Sequence, residues 1–193
     1  DKAALSSAQH RGMELFFGTA GCSECHAGPF LSDEKFHALA IPQFGPGRTR
    51  PFDPFARDIG RMGKTDRLKD AYRFRTPALR NVALTAPYGH TGAYATLDGI
   101  VRHHLDPLRS LGNWKTTDVS LPLAEWIGDD DFVILGDTRE QARLRRNLDI
   151  VAKELSGDGV RDIVAFLNSL TGTASVAGRL GRPNSVPSGL AVD

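Results

Sequence analysis

Two cysteines three positions apart, followed at once by a histidine, constrain this chain more than any other feature. They form Cys22-Ser23-Glu24-Cys25-His26 and are the only two cysteines among the 193 residues. In the pattern C-x-x-C-H the two thiols add to the vinyl groups of a porphyrin, and the histidine binds the iron from one side. A structural zinc site would need a second ligand pair, and a thioredoxin-like pair would need flanking strands. The pattern therefore predicts covalently attached haem c.

Length and composition allow one domain with a substantial core. Hydrophobic residues make up 40% of the sequence, charged residues 24%, and the formal net charge is +1. This balance gives no sign of nucleic-acid binding, and no apolar run is long enough to span a membrane. The sequence opens with Asp1-Lys2, without a signal peptide. Because c-type haem is attached outside the cytoplasm, we expect a periplasmic protein whose signal peptide has been removed.

The spacing of apolar residues predicts four main helices, over 5–18, 96–106, 138–155 and 157–171. Ser6 or Ser7 is expected to cap the first of these helices, and Thr96 the second. The first and last helices flank the haem motif in the manner of small cytochromes c. A glycine in the first helix, Gly12, either marks a close crossing of these two helices or merely weakens the helix.

The remaining segments predict the layout of the chain. Residues 27–75 are rich in glycine and proline and are expected to form a long irregular loop around the haem. The fold class is therefore mainly α, a cytochrome c-like helical haem domain with long irregular loops. We expect this domain to cover residues 1–171, with an inserted helical segment at about 107–155. Residues 172–193 are expected to form an extended C-terminal tail.

Histidine is the first candidate for the second side of the iron, and helical phase separates two adjacent histidines. His104 lies one turn beyond Ile100 on the apolar stripe of its helix, so it is expected to point inward, with His103 nearer solvent. A buried imidazole on an apolar face needs a partner, which is either an iron or a hydrogen-bonding group of the core. Met62, in a glycine-flanked loop, is an alternative soft ligand.

One stretch of the sequence, residues 74–92, is distinctive. It reads FRTPALRNVALTAPYGHTG, and it resembles the C-terminal haem domain of the bacterial di-haem cytochrome c peroxidases, a family that includes MauG. The resemblance extends to the haem motif, to His103-His104 and to residues 162–167, and so covers nearly the whole chain.

The resemblance implies roles for individual residues. Cys22 and Cys25 would hold the haem, and His26 would be the proximal ligand. His104 occupies the position at which peroxidases of this family place a methionine ligand and MauG places a tyrosine. A histidine there agrees with the helical phase and should lower the reduction potential of the iron compared with a thioether ligand. His103 is the fallback ligand.

The resemblance also implies a cation site. The backbone carbonyls of Thr85 and Pro87 match positions that help to bind calcium between the two haem domains of the family, and carbonyl oxygens suit this hard cation. The other protein ligand would come from the second domain. His90 matches a family histidine that we interpret as structural or supporting, and not as a ligand.

The family carries two haem motifs in one chain, whereas this sequence has one. We therefore expect a fragment, a processed half or one subunit of a split enzyme, without catalytic residues that the sequence identifies. Its expected function is electron relay to or from a second, catalytic haem domain or chain, with a small redox donor protein or a protein substrate as partner. The alternatives are a stand-alone mono-haem electron carrier, or a dissociable ligand that opens a peroxide site in this chain.

Overall fold

The structure, a computed structural model, describes residues 4–45, 57–119, 129–177 and 188. Regular structure in these ranges is mainly helical, which confirms the expected fold class. The helices are α1 (Ser7–Phe17), α2 (Met62–Thr65), α3 (Leu97–Leu105), α4 (Pro107–Asn113), α5 (Thr138–Arg146), α6 (Gly157–Ser169) and α7 (Thr173–Ala177). A small antiparallel sheet pairs β1 (Phe36–His37) with β2 (Phe74–Arg75). Within the described ranges, no helix has the length and apolar character needed to cross a membrane.

Helices α1 and α6 cross in close contact, and Gly12 lies at the crossing. A Cβ atom on Gly12 would stand 1.9 Å from the backbone oxygen of Asp162 in α6, so only a glycine permits this approach. On the outer side of the crossing, Arg11 donates two hydrogen bonds, of 2.7 and 2.8 Å, to the carboxylate of Asp162. Of the two expectations for Gly12, the close crossing is therefore the one that the structure shows.

Aromatic side chains fill the inner side of this crossing and connect it to the haem motif. Phe16 of α1 is 2% exposed, and its ring lies 5.2 Å from the ring of Phe166 in α6. The same ring lies 6.4 Å from the imidazole of His26. The helix pair thus forms one wall against which the histidine of the motif packs.

Helix α3 agrees with its prediction at both ends. The Thr96 hydroxyl accepts a 3.1 Å hydrogen bond from the Gly99 N–H and so caps the first turn. The helix ends at Leu105, and Pro107 opens α4, with the Asp106 carboxylate accepting a hydrogen bond from the Arg109 N–H.

The helix predicted over 138–155 is wrong in its second half, because α5 ends at Arg146. The following residues bond to other parts of the chain instead of continuing the helix. Asp149 accepts hydrogen bonds from the Ala38 N–H and from the Arg73 guanidinium, and the Lys153 N–H donates to the Leu105 carbonyl at 2.8 Å. These distant partners outweigh the local helical periodicity of the segment.

The start of the predicted tail also differs from expectation, because α7 is helical over Thr173–Ala177. The prediction of an extended conformation is therefore wrong for these residues. Apart from residue 188, the rest of the tail lies outside the described residues.

We predict that Gly12→Ala destabilises the protein by about 1–3 kcal/mol or more, because the added methyl group would overlap the backbone of α6. Gly112→Ala is the matched control, since that helical position in α4 has nothing within 4 Å of the added Cβ. The control should be neutral or stabilising by up to about 1 kcal/mol. Urea unfolding measures both variants, and equal effects would contradict the crossing argument.

Candidate haem site

The two cysteines of the motif lie on a short turn that follows α1. Gly21 enters this turn with a left-handed φ of 66°, and Cys22–Glu24 form one turn of 3₁₀ helix. Both cysteines are free thiols and partly buried. Burial raises the pKa of the Cys22 thiol to about 11, and burial followed by the nearby Asp33 carboxylate also raises the pKa of Cys25.

The imidazole of His26 is oriented by one hydrogen bond. Its Nδ1 lies 2.9 Å from the Leu31 carbonyl oxygen, and because a carbonyl only accepts, Nδ1 must carry the proton. Burial lowers the pKa of His26 to about 4, in spite of this hydrogen bond. The ring is therefore neutral at ordinary pH, and its Nε2 has a lone pair with which it can bind a metal.

The imidazole of His104, on α3, is oriented by the same kind of hydrogen bond. Its Nδ1 donates to the Ile100 carbonyl one turn earlier at 2.8 Å, and burial lowers its pKa. The centroids of the His26 and His104 rings are 6.3 Å apart, with 54° between their planes. Imidazole nitrogens bind metals at about 2 Å, so one metal between two such rings holds their centroids roughly 6 Å apart. The two thiols of the motif, together with two imidazoles at this separation, fit haem c.

The expectation that His103 lies nearer solvent is wrong, because this residue is 0% exposed. Its Nε2 donates to the Leu39 carbonyl at 2.7 Å, and its Nδ1 accepts from the Tyr94 hydroxyl at 2.7 Å. Burial lowers the pKa of His103 to about 3, which keeps the ring neutral. The apolar stripe of α3 did not predict this burial, because Leu39 and Tyr94, which bond to the His103 ring, come from segments outside α3.

Two other candidates from the sequence lie elsewhere. Met62 packs against a separate apolar cluster that includes Ile59 and Tyr72, whereas Cys22 packs against the main core. His90 stacks on Phe74 of β2, with ring centroids 3.5 Å apart.

Thr85 and Pro87, the residues whose carbonyls the resemblance assigns to calcium, lie on an exposed turn. The turn follows the 3₁₀ helix Val82–Leu84, and the Thr85 hydroxyl donates to the Val82 carbonyl at 3.0 Å. The peptide bond Ala86–Pro87 is cis.

Sequence reasoning missed a hydrogen-bonded pair of side chains beside the motif. His37 Nε2 lies 2.9 Å from Asp33 Oδ2, and potential ligand atoms of Cys25, Asp33 and His37 all lie within 4.8 Å of one another. The Asp33 N–H also donates to the Cys25 carbonyl at 2.8 Å. The pair thus supports the second cysteine of the motif. The two residues are four positions apart across a loop, where side chains follow no regular period, so the sequence gives no signal for the pair.

Comparison with known proteins places this chain in a family. The cytochrome c peroxidase Ccp of Escherichia coli (strain K12) is 35% identical over 173 residues, which are 89% of this chain and 27% of that protein. The cytochrome-c peroxidase IdrP1 of Denitromonas iodatirespirans is 41% identical over 120 residues, which are 52% of this chain and 32% of that protein. The chain belongs to the family of bacterial cytochrome c peroxidases and MauG. No protein-family model matches it.

A solved structure of the same family shares the fold. A MauG-like protein associated with microbial copper homeostasis superposes with a TM-score of 0.59 and 27% identity, over 93% of this chain and 52% of that one. The chain spans about a third of the length of the two curated peroxidases. Over the matched residues, the chain shares the family of these peroxidases and the fold of the solved structure.

The Asp33–His37 pair generates a prediction on acid stability. Burial alone would raise the pKa of the Asp33 carboxyl, but hydrogen bonds from His37 and from the Lys35 N–H outweigh it and lower the pKa from 3.8 to about 2. A carboxyl with a depressed pKa stabilises the fold above its unfolded pKa, and this stabilisation is lost as the pH falls through the folded value.

We therefore expect Asp33→Asn to lower the free energy of unfolding by about 1 kcal/mol at pH 7. The difference from wild type should shrink between about pH 4 and pH 2, where the wild-type carboxylate becomes protonated. Urea unfolding of the haem-loaded protein at several pH values measures this. A difference that stays constant over that range would contradict the assignment.

Proposed function

We propose that this chain carries one covalent haem c in a domain over residues 1–171 and relays electrons to or from a second, catalytic haem. Cys22 and Cys25 would hold the haem through thioether bonds, and His26 and His104 would bind its iron. The chain works in the periplasm as part of a di-haem peroxidase or MauG-like oxidoreductase. A small redox protein or a protein substrate is the partner at the other end of the relay.

The facing imidazoles of His26 and His104 carry this proposal. Each ring points its unprotonated Nε2 away from the carbonyl that binds Nδ1, and the two rings are 6.3 Å apart. When bound, the haem supplies one-electron chemistry. With both imidazoles bound, the iron would have no open position for peroxide, so relay is favoured over peroxide chemistry at this site.

The residues around the rings keep this ligation rigid. Backbone carbonyls fix both Nδ1 atoms, and the Phe16 ring packs beside His26. Fixed ligands suit electron transfer because little has to move when the iron changes its charge. The burial that lowers the pKa of both histidines also keeps the rings neutral, so that Nε2 of each is available to the iron.

Exposed apolar side chains support the presence of a second domain or chain. Phe30 is 58% exposed and Leu84 is 53% exposed, and the Leu79 N–H donates to the Phe30 carbonyl. Large exposed apolar side chains are contacts that a partner can cover. Leu84 directly precedes Thr85, one of the residues that the resemblance assigns to calcium.

A stand-alone mono-haem electron carrier remains the competing function, and native mass spectrometry separates the two. The relay proposal requires a second haem-bearing domain or chain in the protein purified from its native host. A complete protein of one chain with one haem would support the carrier instead.

We also propose that the carbonyls of Thr85 and Pro87 bind calcium together with a ligand from the second domain. We predict that chelation with EGTA weakens the association of the two haem domains, and that added calcium restores it while magnesium does not, because carbonyl-rich sites suit the larger cation. Sedimentation of the native assembly measures this. Association that is insensitive to EGTA would exclude the calcium site.

The ligand assignment predicts the behaviour of His104→Ala. Wild-type ferric protein should be low-spin, and its ferrous form should not bind CO. His104→Ala should be high-spin and bind CO, because His103 is held by its own hydrogen bonds. His10→Ala, on a partly exposed histidine paired with Glu14, is the control and should behave as wild type. A His104→Ala protein that keeps the wild-type spectrum would overturn the assignment, and CO binding by wild type would favour a peroxide site in this chain.

A further inference from the structure

The sequence places two histidines side by side, and the structure gives them opposite protonation patterns. His103 carries its proton on Nε2, which donates to the Leu39 carbonyl, and its Nδ1 accepts from Tyr94. His104 carries its proton on Nδ1, which donates to Ile100. Both nitrogens of His103 are therefore engaged, whereas the hydrogen bond of His104 uses Nδ1, and its ring lies 6.3 Å from that of His26, centroid to centroid.

The hydrogen bonds of His103 connect α3 to two other segments. Tyr94, which is 8% exposed, precedes the helix, and Leu39 lies in the loop that follows β1. Successive residues of an α-helix are about 100° apart around its axis, since one turn takes 3.6 residues. Any rotation of α3 that breaks the bonds of His103 therefore also turns His104. The two rings are neighbours, with centroids 6.4 Å apart and planes at 83°.

We infer that Tyr94 is a positioning residue for iron ligation. Through His103, its hydroxyl fixes the rotation of α3 and so the direction in which His104 presents Nε2 toward His26. This inference rests on the proposed ligation by His26 and His104. Hydrogen bonds of this kind orient metal ligands and influence the properties of the metal that they hold.

The test is Tyr94→Phe, which removes one hydroxyl and leaves the ring. The EPR g values of a low-spin ferric haem depend on the angle between its two axial imidazole planes, which is 54° between His26 and His104 here. In the haem-loaded variant we expect the largest g value to shift by more than its linewidth, or the signal to split in two. A change in reduction potential should accompany this shift.

The matched control is Tyr88→Phe. Tyr88 is 9% exposed, pairs with Tyr94 in an antiparallel bridge, and donates its hydroxyl to the Val82 carbonyl at 3.0 Å. The control therefore loses a buried tyrosine hydroxyl of the same kind, but not one that bonds to α3. It should lose a similar amount of thermal stability and keep the wild-type g values.

If Tyr94→Phe loses the same stability and also keeps the wild-type g values, the inference is wrong although the ligation stands. If wild type itself gives no low-spin signal from two imidazoles, the proposed ligation fails and the inference fails with it. If Tyr94→Phe does not fold, His103→Gln takes its place. Its amide N–H can still donate to the Leu39 carbonyl, but the acceptor for the Tyr94 hydroxyl at Nδ1 is lost. The same shift is expected, and its absence would again overturn the inference.

Discussion

Two hydrogen bonds from imidazole Nδ1 to backbone carbonyls are the interactions on which the site depends. In His26 the carbonyl belongs to Leu31, in the loop that follows the motif, and in His104 it belongs to Ile100, one helical turn earlier. Each bond decides which ring nitrogen carries the proton and therefore which one faces inward. Because both carbonyls are fixed by local backbone, the direction of each ring follows from structure formed within five residues of it.

Bringing the two rings to 6.3 Å from each other requires contacts over much longer sequence separations. The close crossing of α1 and α6 forms one wall behind His26. The extended segment after α5 supplies a second connection, since the Lys153 N–H bonds to the end of α3 while its ammonium group lies 2.6 Å from Glu24 of the motif. One residue thus joins the part of the chain that carries His26 to the part that carries His104. Ion pairs at such exposed positions add little stability, so the backbone bond is the stronger of the two.

Much of this arrangement follows from the sequence, and the reasons for the rest are specific. The motif predicts Cys22, Cys25 and His26 as haem-binding residues because thioether attachment requires that spacing, and the phase of α3 predicts an inward His104 because helical geometry is regular. The burial of His103 does not follow, since the groups that cover it, Leu39 and Tyr94, lie 64 and 9 residues away. The early end of α5 does not follow either, because Asp149 bonds to Ala38 and Arg73, 111 and 76 residues away, and Lys153 bonds to Leu105.

The hydrogen bond that orients His104 lies within its own helix, and this affects which kinds of ligand side chain the position can orient. An imidazole at this position has an N–H that reaches the carbonyl of Ile100, so α3 alone sets the plane of the ring. A thioether, the ligand that the family resemblance implies for peroxidases here, has no hydrogen to donate and would have to be oriented by packing. With histidine at this position, the rotation of α3 sets the orientation of the ligand, whereas a thioether would depend on the packing of surrounding side chains. The bonds of His103 to Tyr94 and Leu39 restrain that same rotation, and this explains why a second, fully buried histidine stands next to the proposed ligand without competing for the iron.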